Sequence, residues 1–364
     1  MNDPLANGGA ASAAPPIDTW PIDAEAHYLD LPFLGVLRGR TVAPREEHLE
    51  DGVRMYVEPT APDVFQGRSM KLENALADLE ELRLAAMDEA GVGVQVLSLN
   101  VPGCEQFDPA EGAAIARDRN DLLAESIARH PDRFVGLAAL CPDPEAPEVA
   151  ADELERCVRE LGFRGWKVNS HIRDGFLDDP RYEPLLERAA ALDVPIYLHP
   201  TLPHGSMIEP YTGYGYMLPG PALGFGAESA LHSMRLIYSG AFDRHPNLQV
   251  VLGHLGEGLY FWLYRLDFEF TKPWLQRSPL IKAERRPSEY LRENFYASTS
   301  GHFQSSAFAV TLAEIGADRV LFATDYPYED SGQAVEWLES QPIDDVDRAK
   351  ILHGNAARLF KVGA

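Results

Sequence analysis

The 364 residues are 45% apolar and carry a formal charge of -24. That is ample material for a core, and too acidic a surface for nucleic acid or anionic lipid to be a main partner, so an anionic small molecule has to be caught by a few local cations or a metal ion. The three cysteines, Cys104, Cys141 and Cys157, lack CxxC spacing, which argues against a disulfide framework or a thiolate zinc site and for reduced thiols in a cytoplasmic protein.

In chain order, residues 1–18, "MNDPLANGGAASAAPPID", read as a flexible tail, and residues 19–364 as a single domain. No stretch approaches the roughly 20 apolar residues that a membrane crossing needs. The first apolar run, "WPIDAEAH" (20–27), ends in Glu25 and His27, which strand alternation places on one side of the chain. An insertion over 31–70 follows, with Arg68 in "FQGRSMKLEN" ahead of a helix expected over 72–90. Next come "VGVQVLSLN" (92–100), a helix over 109–130, "RFVGLAAL" (133–140) and a helix over 146–161. The fourth run, "GWKVNSH" (165–171), ends in Asn169 and His171; after a helix over 184–192 the fifth, "VPIYLH" (194–199), ends in His199. A Gly-rich insertion over 204–225 and a helix over 227–245 lead to "LQVVLGH" (248–254), which ends in His254. The last insertion, 268–293, precedes "NFYASTS" (294–300), a helix over 304–315 and "RVLFATD" (319–325), where Asp325 is followed at once by a proline turn.

Continuous rather than alternating apolar strands indicate burial on both faces. Eight such runs separated by helices predict an α/β fold, a (β/α)8 barrel with insertions in the strand-to-helix loops, with an open doubly wound sheet as the alternative. In a barrel, functional groups sit at the C-terminal strand ends, and Glu25, His27, Asn169, His171, His199, His254 and Asp325 all fall there. Each alone could be a hydrogen-bonded strand cap; the convergence of the set points to a site. Imidazoles and carboxylates without thiolate suit one divalent ion, zinc or manganese, and Glu25, His27, His199 and Asp325 are the candidate ligands. Glu257, three residues after His254, could orient that imidazole and raise its basicity for acid/base work. If a helix opens near Gly256, Glu257 could equally be a first-turn carboxylate favoured by the helix dipole. Phosphate-loop, dinucleotide-loop and nucleophile-elbow motifs are absent from the sequence.

The series "EAH", "PIYLHP", "VVLGHLGE", "YRLD" and "LFATDYPYE" resembles the amidohydrolase superfamily, in the amidohydrolase 2 branch that includes aminocarboxymuconate semialdehyde decarboxylase. Through "LGFRGWKVNSH", "GFGAES" and "LGHLGEGLYFWLYRLD" it is most similar to the 5-carboxyvanillate and γ-resorcylate decarboxylases. The resemblance implies a one-metal barrel, a homodimer or homotetramer, and a small aromatic carboxylate as substrate. It places metal ligation on Glu25, His199 and Asp325, with His27 as a fourth ligand. Asp325, His254 and Glu257 are the implied catalytic groups, and Arg68, Arg265 and His171 the residues on the substrate side. Glu25, where much of the superfamily has His or Asp, leans toward nonoxidative decarboxylation of an ortho-hydroxybenzoate, a carboxy-lyase reaction. Hydrolysis of an amide, lactone or C-C bond is the alternative, because the same residues could ionise a water.

Overall fold

The computed structural model describes residues 20–275 and 278–363, so the expected tail over 1–18 lies outside the described residues. Eleven strands are present among the described residues: β1 (Ile22–Tyr28), β2 (Arg45–His48), β3 (Gly52–Tyr56), β4 (Gln66–Ser69), β5 (Val94–Leu99), β6 (Phe134–Gly136), β7 (Trp166–Asn169), β8 (Ile196–His199), β9 (Val250–Leu252), β10 (Phe295–Ser298) and β11 (Val320–Leu321). Eight of them are parallel and correspond to the eight apolar runs. They pair as β1-β5-β6 and β7-β8-β9-β10-β11. The two sheets join through the parallel bridge Ala138↔Trp166 and, at the other seam, Ala26↔Tyr326. Backbone bonds Ala24 N to Phe322 O at 2.9 Å and His27 N to Tyr326 O at 2.8 Å complete the ring. The eight parallel strands form a closed barrel, because each of them finds a partner on both sides.

Packing follows from the period of two along each strand. Ile196 and Leu198 face the layer between barrel and helices, while Tyr197 between them joins Ala24, Val96, Val251, Tyr296 and Leu321 in the interior. Helices such as Pro109–Arg129, Pro147–Arg159 and Glu183–Leu192 cover the outside.

Two expected helices are interrupted for local reasons. The helix expected over 72–90 is two, Met70–Ala77 and Glu81–Ala90, because Asp78 Oδ1 accepts from Glu80 N at 2.9 Å and Leu82 N at 3.1 Å and so starts the second. The one expected over 227–245 is Gly224–Tyr238 and Ala241–Arg244, parted at Gly240 with φ +73. The 31–70 insertion is more ordered than a mouth loop. It forms a helix, Leu31–Arg38, capped by Asp30, and an antiparallel sheet in the order β2-β3-β4.

Glycine is required where the chain leaves β5. Gly103 has φ +63, and a Cβ there would lie 2.1 Å from Asn169 Nδ2 and 2.2 Å from Glu105 Oε2. The expected effect of Gly103→Ala is a loss of about 1–3 kcal/mol, from backbone strain and displacement of the β7 end. Urea unfolding of the two proteins checks it.

Candidate active site

At the top of β1 the ladder to β5 shifts register between Asp23 and Ala26, so Glu25 and His27 both reach the mouth although strict alternation is broken. Glu25 Oε1 lies 3.7 Å from His27 Nε2 and 3.5 Å from His199 Nε2. All three side chains are buried, their ligand atoms fall within 4.8 Å of one another, and Glu25 Oε1 has no hydrogen-bond donor. A buried carboxylate oxygen facing two imidazole nitrogens, with no hydrogen-bond partner of its own, fits a cation. The other oxygen, Oε2, accepts from Tyr197 OH and from Ser298 Oγ at 3.2 Å, which fixes the carboxylate plane.

Asp325 stands at the barrel seam with φ +68, one oxygen 2.9 Å from His27 Nε2 and the other 3.9 Å from His254 Nε2. His254, Leu255, Gly256, Glu257 and Gly258 all have positive φ. This run folds Glu257 back so that its Oε1 lies 2.8 Å from His254 Nδ1. No helix opens at Gly256; the next helical residues are Leu259–Trp262. The first-turn explanation of Glu257 is therefore replaced by direct pairing with the imidazole.

The electrostatics divide the imidazoles by role. Burial, reinforced by the charges of Lys167, His27 and His254, holds His199 well below the usual imidazole range, so it is neutral with a lone pair to offer. Burial would also depress His254, but the Glu257 carboxylate, which hydrogen-bonds its Nδ1, and the nearby Asp325 carry it well above that range. Burial raises Asp325, and the nearby His254 together with the hydrogen bond from His27 more than reverses this, keeping it ionised. Both directions favour the imidazolium form of His254 facing an ionised Asp325.

Three sequence candidates lie elsewhere. Arg68 is not a mouth-loop cation; it is buried on β4, 3.0 Å from Glu46 and 2.8 Å from Glu73, and its charge acts on Tyr328, whose ring is 6.0 Å from His27. His171 is not free to meet a ligand, because Glu58 holds Nε2 at 3.2 Å and Glu228 holds Nδ1 at 3.0 Å. Arg265 is on the outer helix Leu263–Phe270 with its side chain 79% exposed and 4.0 Å from Glu269; a single chain does not bring it to His254.

Sequence reasoning missed Lys167. It is buried on β7, and Nζ donates to Leu99 O at 2.7 Å. Burial lowers it to about 8, against the pull of Glu105, Glu25 and Asp325. The signal was a lysine inside the apolar run "GWKVN". Asn169 turns out to be a support: its N–H donates to Glu105 Oε1 at 2.8 Å. A cavity of about 920 Å³ opens from His254, Glu257 and Asp325 toward Phe225, Met234 and Trp262.

The amidohydrolase family model matches residues 22–362. The γ-resorcylate decarboxylase of Polaromonas sp. (strain JS666) is 43% identical over 299 residues, 80% of this chain and 90% of the relative. Among solved structures, a dihydroxybenzoic acid decarboxylase from Polaromonas sp. JS666, with bound manganese and the inhibitor 2-nitroresorcinol, superposes with a TM-score of 0.80 at 38% identity, covering 95% of this chain and 98% of that one. The 5-carboxyvanillate decarboxylase of Sphingomonas paucimobilis gives a TM-score of 0.82 at 33% identity, covering 94% and 99%.

The His171 node has a pH signature. Burial would lower this imidazole, but the hydrogen bonds and charges of Glu228 and Glu58 raise it from 6.5 to about 9. Its contribution, about 3 kcal/mol by linkage, is therefore full below pH 6.5 and lost as pH rises through 9. His171→Gln is expected to be less stable by that order at pH 6, with the gap closing above pH 9; melting temperatures across this range check it.

Proposed function

The chain belongs to the amidohydrolase family, and we propose that it is a metal-dependent, nonoxidative decarboxylase of small aromatic acids with a hydroxyl ortho to the carboxylate. The observation that carries this reading is the unpartnered Oε1 of Glu25 facing two imidazole nitrogens, beside the paired His254 and Glu257 and the Asp325 carboxylate. Relatives at 42% and 43% identity are γ-resorcylate decarboxylases, and related solved structures hold manganese.

Glu25, His27, His199 and Asp325 would hold one divalent ion, manganese or zinc. When bound, that ion supplies Lewis acidity to the substrate carboxylate and its ortho oxygen. The protein's part is proton management. Decarboxylation replaces the carboxylate on the ring carbon by one proton: ArCO2⁻ and H⁺ give ArH and CO2. His254 stores that proton, Glu257 keeps the ring charged and its Nε2 pointed inward, and Asp325 is the group through which the proton reaches the ipso carbon. A phenolic oxygen ortho to that carbon pushes charge into the ring and makes it basic enough to accept the proton. Arg68, buried between Glu46 and Glu73, would act on the site through Tyr328 rather than hold the substrate carboxylate itself. His171 would act on substrate through the loops it joins.

A second copy of this chain is the proposed partner. Phe261, Tyr264 and Trp274 are 78%, 80% and 74% exposed, more aromatic surface than an isolated acidic protein leaves to water. No helix among the described residues is long and apolar enough to cross a membrane. With three free, buried cysteines, the cytoplasm is the proposed location.

The test is to load the protein with manganese and offer a panel of ortho-hydroxybenzoates, following CO2 and the matching phenol. Hydrolysis of an ester or amide without CO2 release would overturn the reading. His199→Ala is expected to lose the metal, read by elemental analysis, and full occupancy would remove it from the ligand set. Asp325→Asn is expected to lower kcat about 10²–10⁴-fold, the range for loss of a positioned proton-transfer group.

A further inference from the structure

Behind the proposed ligands, on the side of the strands away from the cavity, lies a set of buried polar groups that the reaction does not use. Asp23, Arg83, Gln95 and Thr324 come from β1, the helix Glu81–Ala90, β5 and the seam after β11, and none is more than 1% exposed. Asp23 accepts four hydrogen bonds. Oδ1 takes Glu25 N at 3.2 Å and Thr324 N at 2.8 Å, and Oδ2 takes Thr324 Oγ1 at 2.6 Å and Gln95 Nε2 at 3.1 Å. Gln95 Oε1 in turn accepts from Arg83 Nη1 at 3.2 Å, and Arg83 Nη2 donates to His27 O at 2.6 Å. The Arg83 guanidinium also lies 4.7 Å from the centre of the Tyr326 ring. Thr324 Oγ1 accepts from Tyr326 N at 3.2 Å, and Asp325 N donates to Glu25 O at 3.1 Å.

The contacts fall on particular atoms. The network grips the backbone at Glu25 N, His27 O, and the N–H groups immediately before and after Asp325. It spans the β1/β11 seam, where β1 is irregular and β11 only two residues long, so ladder bonds alone do not set the spacing of the ligand-bearing residues.

We propose that Asp23, Gln95, Thr324 and Arg83 are positioning residues that set the spacing of Glu25, His27 and Asp325 and thereby the affinity for the divalent ion. The inference rests on the metal site proposed above. Buried groups that orient ligands are typically worth 10–100-fold in metal affinity, and a network satisfied at each link transmits the loss of one member to the others.

The experiment measures manganese affinity by competition with a chelator, together with the manganese EPR spectrum and the melting temperature of the metal-free protein. Thr324→Val removes the hydroxyl that bridges Asp23 to Tyr326 and is expected to bind manganese 10–100-fold more weakly, with an altered EPR spectrum; Asp23→Asn is expected to do the same. Thr324→Ser keeps the hydroxyl and is expected to restore affinity to within about 3-fold of wild type, the spread of a single hydrogen bond. Affinity unchanged within 2-fold in Thr324→Val, even with a lowered melting temperature, would overturn the positioning role and leave the metal site standing. Wild-type protein that holds no manganese would overturn both.

Discussion

A carboxylate oxygen buried without a donor is costly, and in this fold it occurs where the eight strands converge. Glu25 Oε1 has two imidazole nitrogens within 3.7 Å and makes no hydrogen bond. Its partner atom Oε2 is held by Tyr197 and Ser298, so the side chain cannot turn away. Such an arrangement is stable when a cation shares the pocket. The closed barrel makes it possible, because strands distant in sequence deliver single side chains to one rim. The seam between β1 and the end of β11 brings Asp325 beside His27, and β8 brings His199.

The charges around that point form a graded set rather than a simple ion pair. His199, pushed toward neutrality, suits ligation; His254, pushed toward the imidazolium, suits proton storage. The difference arises because Glu257 faces His254 across 2.8 Å while His199 faces the positive field of Lys167. On a chain of charge -24, these interior cations and the ion itself are what attract an aromatic acid, since the surface as a whole repels it. The cavity beyond is largely apolar, with Phe225, Met234 and Trp262 among its walls, as a ring requires.

The eight barrel strands were legible because burial on both faces writes them as continuous apolar runs, and the polar residues ending most of those runs marked the rim. Glu25, His27, His199, His254 and Asp325 could be named from that pattern, and the structure brings all five together. What stayed hidden depends on pairing across long sequence distances. His171 had the position of a substrate group, but Glu58 and Glu228, far from it in sequence, occupy both of its nitrogens. Arg68 looked like a loop cation until β4 buried it against Glu46 and Glu73. The turn that returns Glu257 to His254 uses consecutive left-handed residues, only two of them glycine, so the glycine signal that usually announces such backbone was incomplete. Lys167 stays hidden because a lysine within an apolar run offers no periodic pattern, and its partner Leu99 comes from β5, two strands away.

The most direct test of the account is to run the manganese-loaded protein on an ortho-hydroxybenzoate in D2O and examine the product by NMR. The account requires one solvent deuteron per molecule, on the carbon that bore the carboxylate, with CO2 released in equal amount and both lost when the metal is removed. Turnover that leaves the carboxylate on the ring, or that proceeds undiminished without metal, would contradict it.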